Sequence, residues 1–188
     1  GTAFRLDAID GAERVSVPKL HARLALDSER NALIVKDVSA AFAEGRSILV
    51  LTERRDHVDI LRQAFDQITP RVVVLRGAMT PSERRAAGDQ LRHSDPTPRI
   101  LVATGRFLGE GFDDSRLDTL FVALPIAWKG TLAQYLGRLH RDHEGKTEVV
   151  VYDYADESVP VLARMAAKRR SGYRALGYVE GPDRLDAR

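Results

Sequence analysis

Five short apolar runs separated by segments of helical periodicity constrain this chain more than any other feature. Ser47–Leu51, Arg71–Leu75, Ile100–Ala103, Thr119–Leu124 and Glu148–Tyr154 are β-rich and strand-length. Between the first two, Val58, Leu61, Phe65 and Ile68 mark the inner face of a helix from about Arg54 to Gln67. Thr80-Pro-Ser-Glu83 opens the next helix with a capping residue, a proline at the first helical position and a glutamate to close the capping box. Ser94–Pro98 breaks it, and Pro160 opens a last helix reaching about Gly172–Gly177. Ahead of the first strand, Asp27 caps a helix whose face is Leu33, Ile34, Val38, Ala41 and Phe42 and which Gly45 ends. Strands alternating with helices connect by right-handed crossovers, which gives an α/β fold: a mainly parallel sheet covered by helices on both faces. Ligands bind such sheets at the carboxyl ends of the strands.

The 188 residues suit one domain with a substantial core, or one and a small appendage. The expected organisation is a linker or peripheral segment over 1–26 with a turn at Asp10-Gly11, the domain over 27–178 and a tail over 179–188. The start, Gly-Thr without methionine, reads as that of an excised piece. No apolar run is long enough to span a membrane and no signal-peptide pattern opens the chain. The absence of cysteine excludes disulfides and cysteine metal sites and suits a cytoplasmic protein. A net charge of only +2 means that any affinity for nucleic acid must come from local arrangement.

Thr131–Arg141 carries two stripes. Leu132, Tyr135, Leu136 and Leu139 form the apolar one, while Gln134, Arg138 and Arg141 share another, with Gly137 bare between them. A helix that buries leucines and projects a glutamine and two arginines is suited to an anion, because the guanidinium fork stays charged and grips phosphate by paired hydrogen bonds. From periodicity alone an exposed helix with solvated charges is the simpler reading. Three strand-to-loop transitions add chemistry: Thr52-Glu-Arg-Arg55, Arg76-Gly-Ala-Met79 and Thr104–Asp113. In the last, Gly105, Gly109 and Gly111 let backbone amides approach a ligand and Thr104 offers a hydroxyl. Taken singly, each is more simply a strand end, a turn or a surface charge.

Other patterns carry less. Gly145-Lys146-Thr147 resembles the end of a phosphate-binding loop, but His140 stands where that motif needs glycine, and a strand follows instead of a helix. Val149–Asp153 reads as a buried strand with a capping Asp153, the five histidines lack ligand spacing so that no metal site is expected, and Lys168-Arg169-Arg170 with Arg174 reads as compensation of a helix C-terminus.

Gln134-x-x-Gly-Arg138-x-x-Arg141 resembles motif VI of superfamily-two helicases, carried by the second of their two RecA-like motor domains. Thr52 lies where motif IV falls, Gly77 in the loop position after it, and Thr104–Asp113 where motif V falls, so the order of the family is reproduced over Ser47–Tyr154. One departure is that Thr104–Asp113 is a residue longer than the commonest motif V, which leaves Gly105–Leu108 hard to assign while Glu110–Asp113 anchors well. The resemblance implies a RecA-like fold lacking its own P-loop, with ATP and Mg2+ held mainly by an amino-terminal RecA-like domain of the same full-length chain. It further implies that Arg138 and Arg141 reach the γ-phosphate, that Gln134 helps to set the water and interface network, that Gly109, Glu110 and Gly111 lie on the nucleotide side, and that Asp113 lies there too, near the ATP ribose or the domain interface. Thr52, Gly77, Thr104 and Gly105 would touch the sugar-phosphate backbone of DNA or RNA. The alternative is a non-catalytic nucleic-acid-binding or interaction module that has kept the fold; a Rossmann-type cofactor enzyme is disfavoured because no Gly-x-Gly-x-x-Gly follows a strand.

Overall fold

The structure, a computed structural model, describes residues 2–4, 16–92, 97–105, 114–127 and 130–181. Its elements in chain order are α1 (Val17–Leu26), α2 (Ser28–Ala43), β1 (Ile48–Thr52), α3 (Arg55–Phe65), β2 (Val72–Leu75), α4 (Pro81–Arg92), β3 (Ile100–Thr104), β4 (Thr119–Val122), α5 (Gly130–Leu139), β5 (Val150–Asp153) and α6 (Pro160–Ala175). The strands form one sheet in the order β2-β3-β1-β4-β5, parallel at every pairing.

Alternation along each strand sorts the core into two faces. Leu49, Leu51, Leu101, Ala103, Leu120 and Val122 point toward α4 and α5, where they meet Ala87, Leu132, Tyr135, Leu136 and Leu139. Ile48, Val50, Ile100, Val102 and Phe121 point the other way, onto Ile34 and Val38 of α2 and Val58, Leu61 and Phe65 of α3. The sheet is therefore sealed above and below, and its strand ends are the places left for a ligand.

The caps form as their residues dictate. The Asp27 carboxylate accepts from Arg30 N at 2.8 Å, and Gly45 leaves α2 with φ +83°. Thr80 N donates to Glu83 Oε2 at 2.7 Å while Glu83 N donates to Thr80 Oγ1 at 3.2 Å, a reciprocal capping box that holds the Glu83 carboxyl below its ordinary range.

Three differences from the sequence reading have physical causes. Where a linker or peripheral segment is expected, residues 17–26 form α1, which buries Leu20, Leu24 and Ala25 against Leu124, Val159 and Leu162, a third cluster beside the main core. Arg169 does not compensate a helix end, because α6 runs six residues beyond it, to Ala175. At 1% exposure Arg169 instead grips Asp153 at the end of β5, through Nε at 2.6 Å and Nη2 at 2.7 Å, and reaches the Ile126 carbonyl at 3.2 Å. Tyr173 also donates to Asp153, so this carboxylate is spent on locking α6 to the sheet. Finally, α5 ends at Leu139 and Arg141 lies past it. His140 N still bonds the Leu136 carbonyl, but Arg141 N bonds Arg138 O only three residues back, a tightening of the last turn. Among the described residues no helix is long and apolar enough to cross a membrane.

Candidate functional site

The carboxyl end of β1 is held from inside. Thr52 is fully buried, and its hydroxyl lies 2.9 Å from His57 Nδ1 on α3; His57 Nε2 lies 3.0 Å from Asn31 Oδ1 on α2. The Asn31 amide nitrogen donates to the Ala25 carbonyl at 2.8 Å, so its oxygen faces the imidazole and can only accept. His57 therefore carries its proton on Nε2, and Thr52 donates to Nδ1. Burial, reinforced by the nearby Arg30, lowers the His57 pKa to about 3, so the ring is neutral. Thr52 Oγ1 also accepts from Arg54 N at 3.4 Å, which fixes the start of the following loop. Thr52 thus shapes its loop from below, and its hydroxyl is turned inward.

Thr104 pairs in register with Thr52 on the neighbouring strand, and Gly105 N donates to the Thr52 carbonyl at 3.1 Å. Gly105 is enclosed: a Cβ there would stand 2.6 Å from Glu53 Oε1 and 4.0 Å from the Tyr135 hydroxyl. Tyr135 donates that hydroxyl to the Gly105 carbonyl. Burial pushes the Tyr135 pKa up to about 12, the Glu53 carboxylate adding to the rise and Arg138 opposing it. The loops after β1 and β3 and helix α5 accordingly meet at Gly105, with the Glu53 carboxylate and the Tyr135 phenol against the glycine and Arg138 near enough to act on the phenol. Neither Glu53 nor the tyrosine hydroxyl stood out in the sequence, where Tyr135 reads only as part of the apolar stripe.

On the outer side of α5, Gln134 is exposed, Arg138 half-buried and Arg141 exposed. Among the described residues, a Cβ on Gly137 would meet nothing within 4 Å. Past the helix, Lys146 Nζ donates to the carbonyls of Leu139 at 2.7 Å, Arg141 at 2.8 Å and Ser115 at 2.6 Å. The lysine of the Gly-Lys-Thr triplet is therefore a helix-end ligand. At the end of β2, Gly77 is half-buried with open space at its Cβ position, but the left-handed residue of that turn is Ala78, at φ 64°. Gly109, Glu110, Gly111 and Asp113 lie outside the described residues.

A family model described as the helicase conserved C-terminal domain matches residues 30–143. Transcript termination protein OPG145 of variola virus is 28% identical over 165 residues, which cover 86% of this chain and 32% of that protein. Transcript termination protein A18 of cowpox virus (strain Brighton Red) is 30% identical over 144 residues, covering 74% of this chain and 28% of the viral protein. The chain thus spans roughly a third of the length of these curated relatives. Among solved structures, T4 UvsW superposes with a TM-score of 0.69 at 17% identity, covering 87% of this chain and 36% of UvsW. The C-terminal domain of the DEAD-box protein Dbp5 gives 0.57 at 14% identity, with 82% of each chain covered. At such identities these superpositions show the fold alone.

Proposed function

The chain belongs to the family of helicase conserved C-terminal domains, and from that premise we propose that it is the carboxy-terminal half of an ATP-dependent nucleic-acid helicase or translocase of superfamily two. ATP and Mg2+ sit mainly on the amino-terminal RecA-like domain of the same full-length protein. On domain closure Arg138 and Arg141 reach the γ-phosphate and Gln134 orders the interface and its water. Phosphoryl transfer asks for little more than positioning and charge stabilisation, and an arginine delivered across an interface supplies both. The motif V residues Gly109, Glu110, Gly111 and Asp113 face the nucleotide side. Gly77, Thr104 and Gly105 follow the sugar-phosphate backbone of a DNA or RNA strand, while Thr52, its hydroxyl committed to His57, takes part through its backbone.

The observation that best supports this reading is the meeting of Glu53, Gly105 and Tyr135 at the carboxyl ends of β1 and β3, one residue from each of the segments that resemble motifs IV, V and VI. The relatives' names, transcript termination proteins, support a nucleic-acid polymer. Phosphate release by the purified chain tests the half-motor role: no appreciable turnover is expected with or without nucleic acid. Substantial nucleic-acid-stimulated hydrolysis by this chain alone would refute it. Single strands should bind weakly, with a steep salt dependence and little sequence preference.

A further inference from the structure

The Lys146 side chain is bonded both to the end of the arginine-bearing helix and to the exit of the motif V loop. An ammonium group has three N–H bonds and no acceptor capacity. Here all three are used, at 2.6, 2.7 and 2.8 Å, on backbone carbonyls. Leu139 O is one of the carbonyls left without a partner where α5 stops, and the negative end of the helix dipole favours a cation there. Arg141 O belongs to the second arginine itself. Ser115 O lies two residues past Asp113, where the motif V segment leaves toward β4.

The backbone around the lysine is built for this reach. Gly145 adopts φ +83°, which a side chain would resist, and Lys146 N closes the turn on the His143 carbonyl at 3.1 Å. The receiving side is pinned as well. Asp114 is held by Arg116 through Nε at 2.6 Å and Nη2 at 2.9 Å, and Arg116 also binds the Leu91 carbonyl at 2.6 Å. Burial lowers the Lys146 pKa, but Asp118, Asp114 and Asp142 oppose that fall and favour the cation. Arginine could not take the place, since its donors lie in one plane and the three carbonyls converge on a point.

We propose that Lys146 is a positioning residue of the motor, fixing the backbone of Arg141 against the motif V exit so that the arginine is delivered in register to the nucleotide. With Tyr135 bonded to the Gly105 carbonyl, α5 is then tied to both flanks of the motif V segment, at its entry and at its exit. Lys146 has this role only if Arg141 acts at the nucleotide as proposed above.

The test uses the full-length motor, with ATP turnover, KM for ATP and a thermal melt measured for Lys146→Met, Arg141→Ala and the double variant. Lys146→Met keeps the length of the side chain and removes the cation. Its kcat should fall by roughly 10–100-fold, the scale of a misplaced reacting group, with KM changed by less than about twofold. The double variant should be no slower than Arg141→Ala, because the lysine works through that arginine. If Lys146→Met melts early, Lys146→Gln, which retains two donors, replaces it and should give a smaller fall in kcat with the same lack of additivity. Slow turnover in Arg141→Ala beside normal turnover in a folded lysine variant would overturn the positioning role and leave the arginine reading standing. Additive losses in the double variant would likewise overturn it. Normal turnover in Arg141→Ala would instead remove the arginine reading, and the role of Lys146 with it.

Discussion

His57 makes the stability of this domain depend on pH in a calculable way. The imidazole is fully buried between β1, α2 and α3, and its folded-state pKa of about 3 lies below the ordinary value of 6.5. The neutral ring suits the network: Nε2 donates to Asn31 and Nδ1 accepts from Thr52, so a second proton finds a hydroxyl donor already aimed at it. Between pH 6.5 and 3 the unfolded chain binds this proton and the folded chain does not, so the unfolded state gains as the pH falls. The stabilisation is complete above the unfolded pKa and is lost on acidification through that window. Each pH unit there is worth about 1.4 kcal/mol, so going from pH 6.5 to 4.5 removes on the order of 3 kcal/mol from a total that is typically only about 5–15. Urea unfolding at pH 7, 5.5 and 4.5, compared between the wild type and His57→Gln, isolates the contribution from carboxylates that titrate nearby. The variant should be weaker at pH 7 through lost hydrogen bonds, and its deficit should shrink as the pH falls. Parallel stability curves for the two proteins would refute a buried neutral histidine.

Other consequences are open to direct measurement. Tyr135→Phe keeps the buried ring but deletes the bond to the Gly105 carbonyl, so in the full-length motor it should lower stimulation of ATP turnover by nucleic acid more than basal turnover. Equal loss of both would mean that the hydroxyl is only a fold contact. Asp153→Asn leaves Arg169 buried without its counter-charge and should cost about 3–5 kcal/mol in denaturant unfolding, whereas Arg170→Ala, at an exposed pair with Glu157, should be close to neutral. Ala78→Gly should leave stability unchanged or raise it by up to about 1 kcal/mol in a thermal melt, since glycine adopts φ 64° without strain.

What could be read in the sequence is what local chemistry decides. Asp27, Gly45 and the Thr80/Glu83 box announce helix ends because each satisfies backbone groups within a few residues of itself. The central strands β1, β3 and β4 announce themselves as apolar runs because both of their faces are buried. Features that depend on distant partners were hidden. Arg169 looks like one cation in a run of three until Asp153 and the Ile126 carbonyl arrive beside it, 16 and 43 residues away in sequence. The same holds for Lys146, whose triplet suggests phosphate, and for His57, whose neighbours come from three elements. Helix α1 did have a signal, Ser16 ahead of Pro18 with Leu20 and Leu24 one turn apart, but its core forms only with Val159 and Leu162 from the other end of the chain.

Strand order explains why segments so far apart in sequence reach one place. Both neighbours of β1 are parallel to it, β3 on one side and β4 on the other, and all three end at the same sheet edge. The in-line register of Thr52 with Thr104 means that the loops carrying Glu53 and Gly105 leave the sheet side by side. Between β3 and β4 the chain must step over β1, so the connections on its two sides diverge there, the arrangement that opens a crevice in a parallel sheet. The link from β4 into α5 leaves on the other side of β1 and brings Tyr135 back across to Gly105. Packing α5 on the sheet puts its apolar stripe on the core and leaves Gln134 and Gly137 exposed, with Arg138 half-buried beside them.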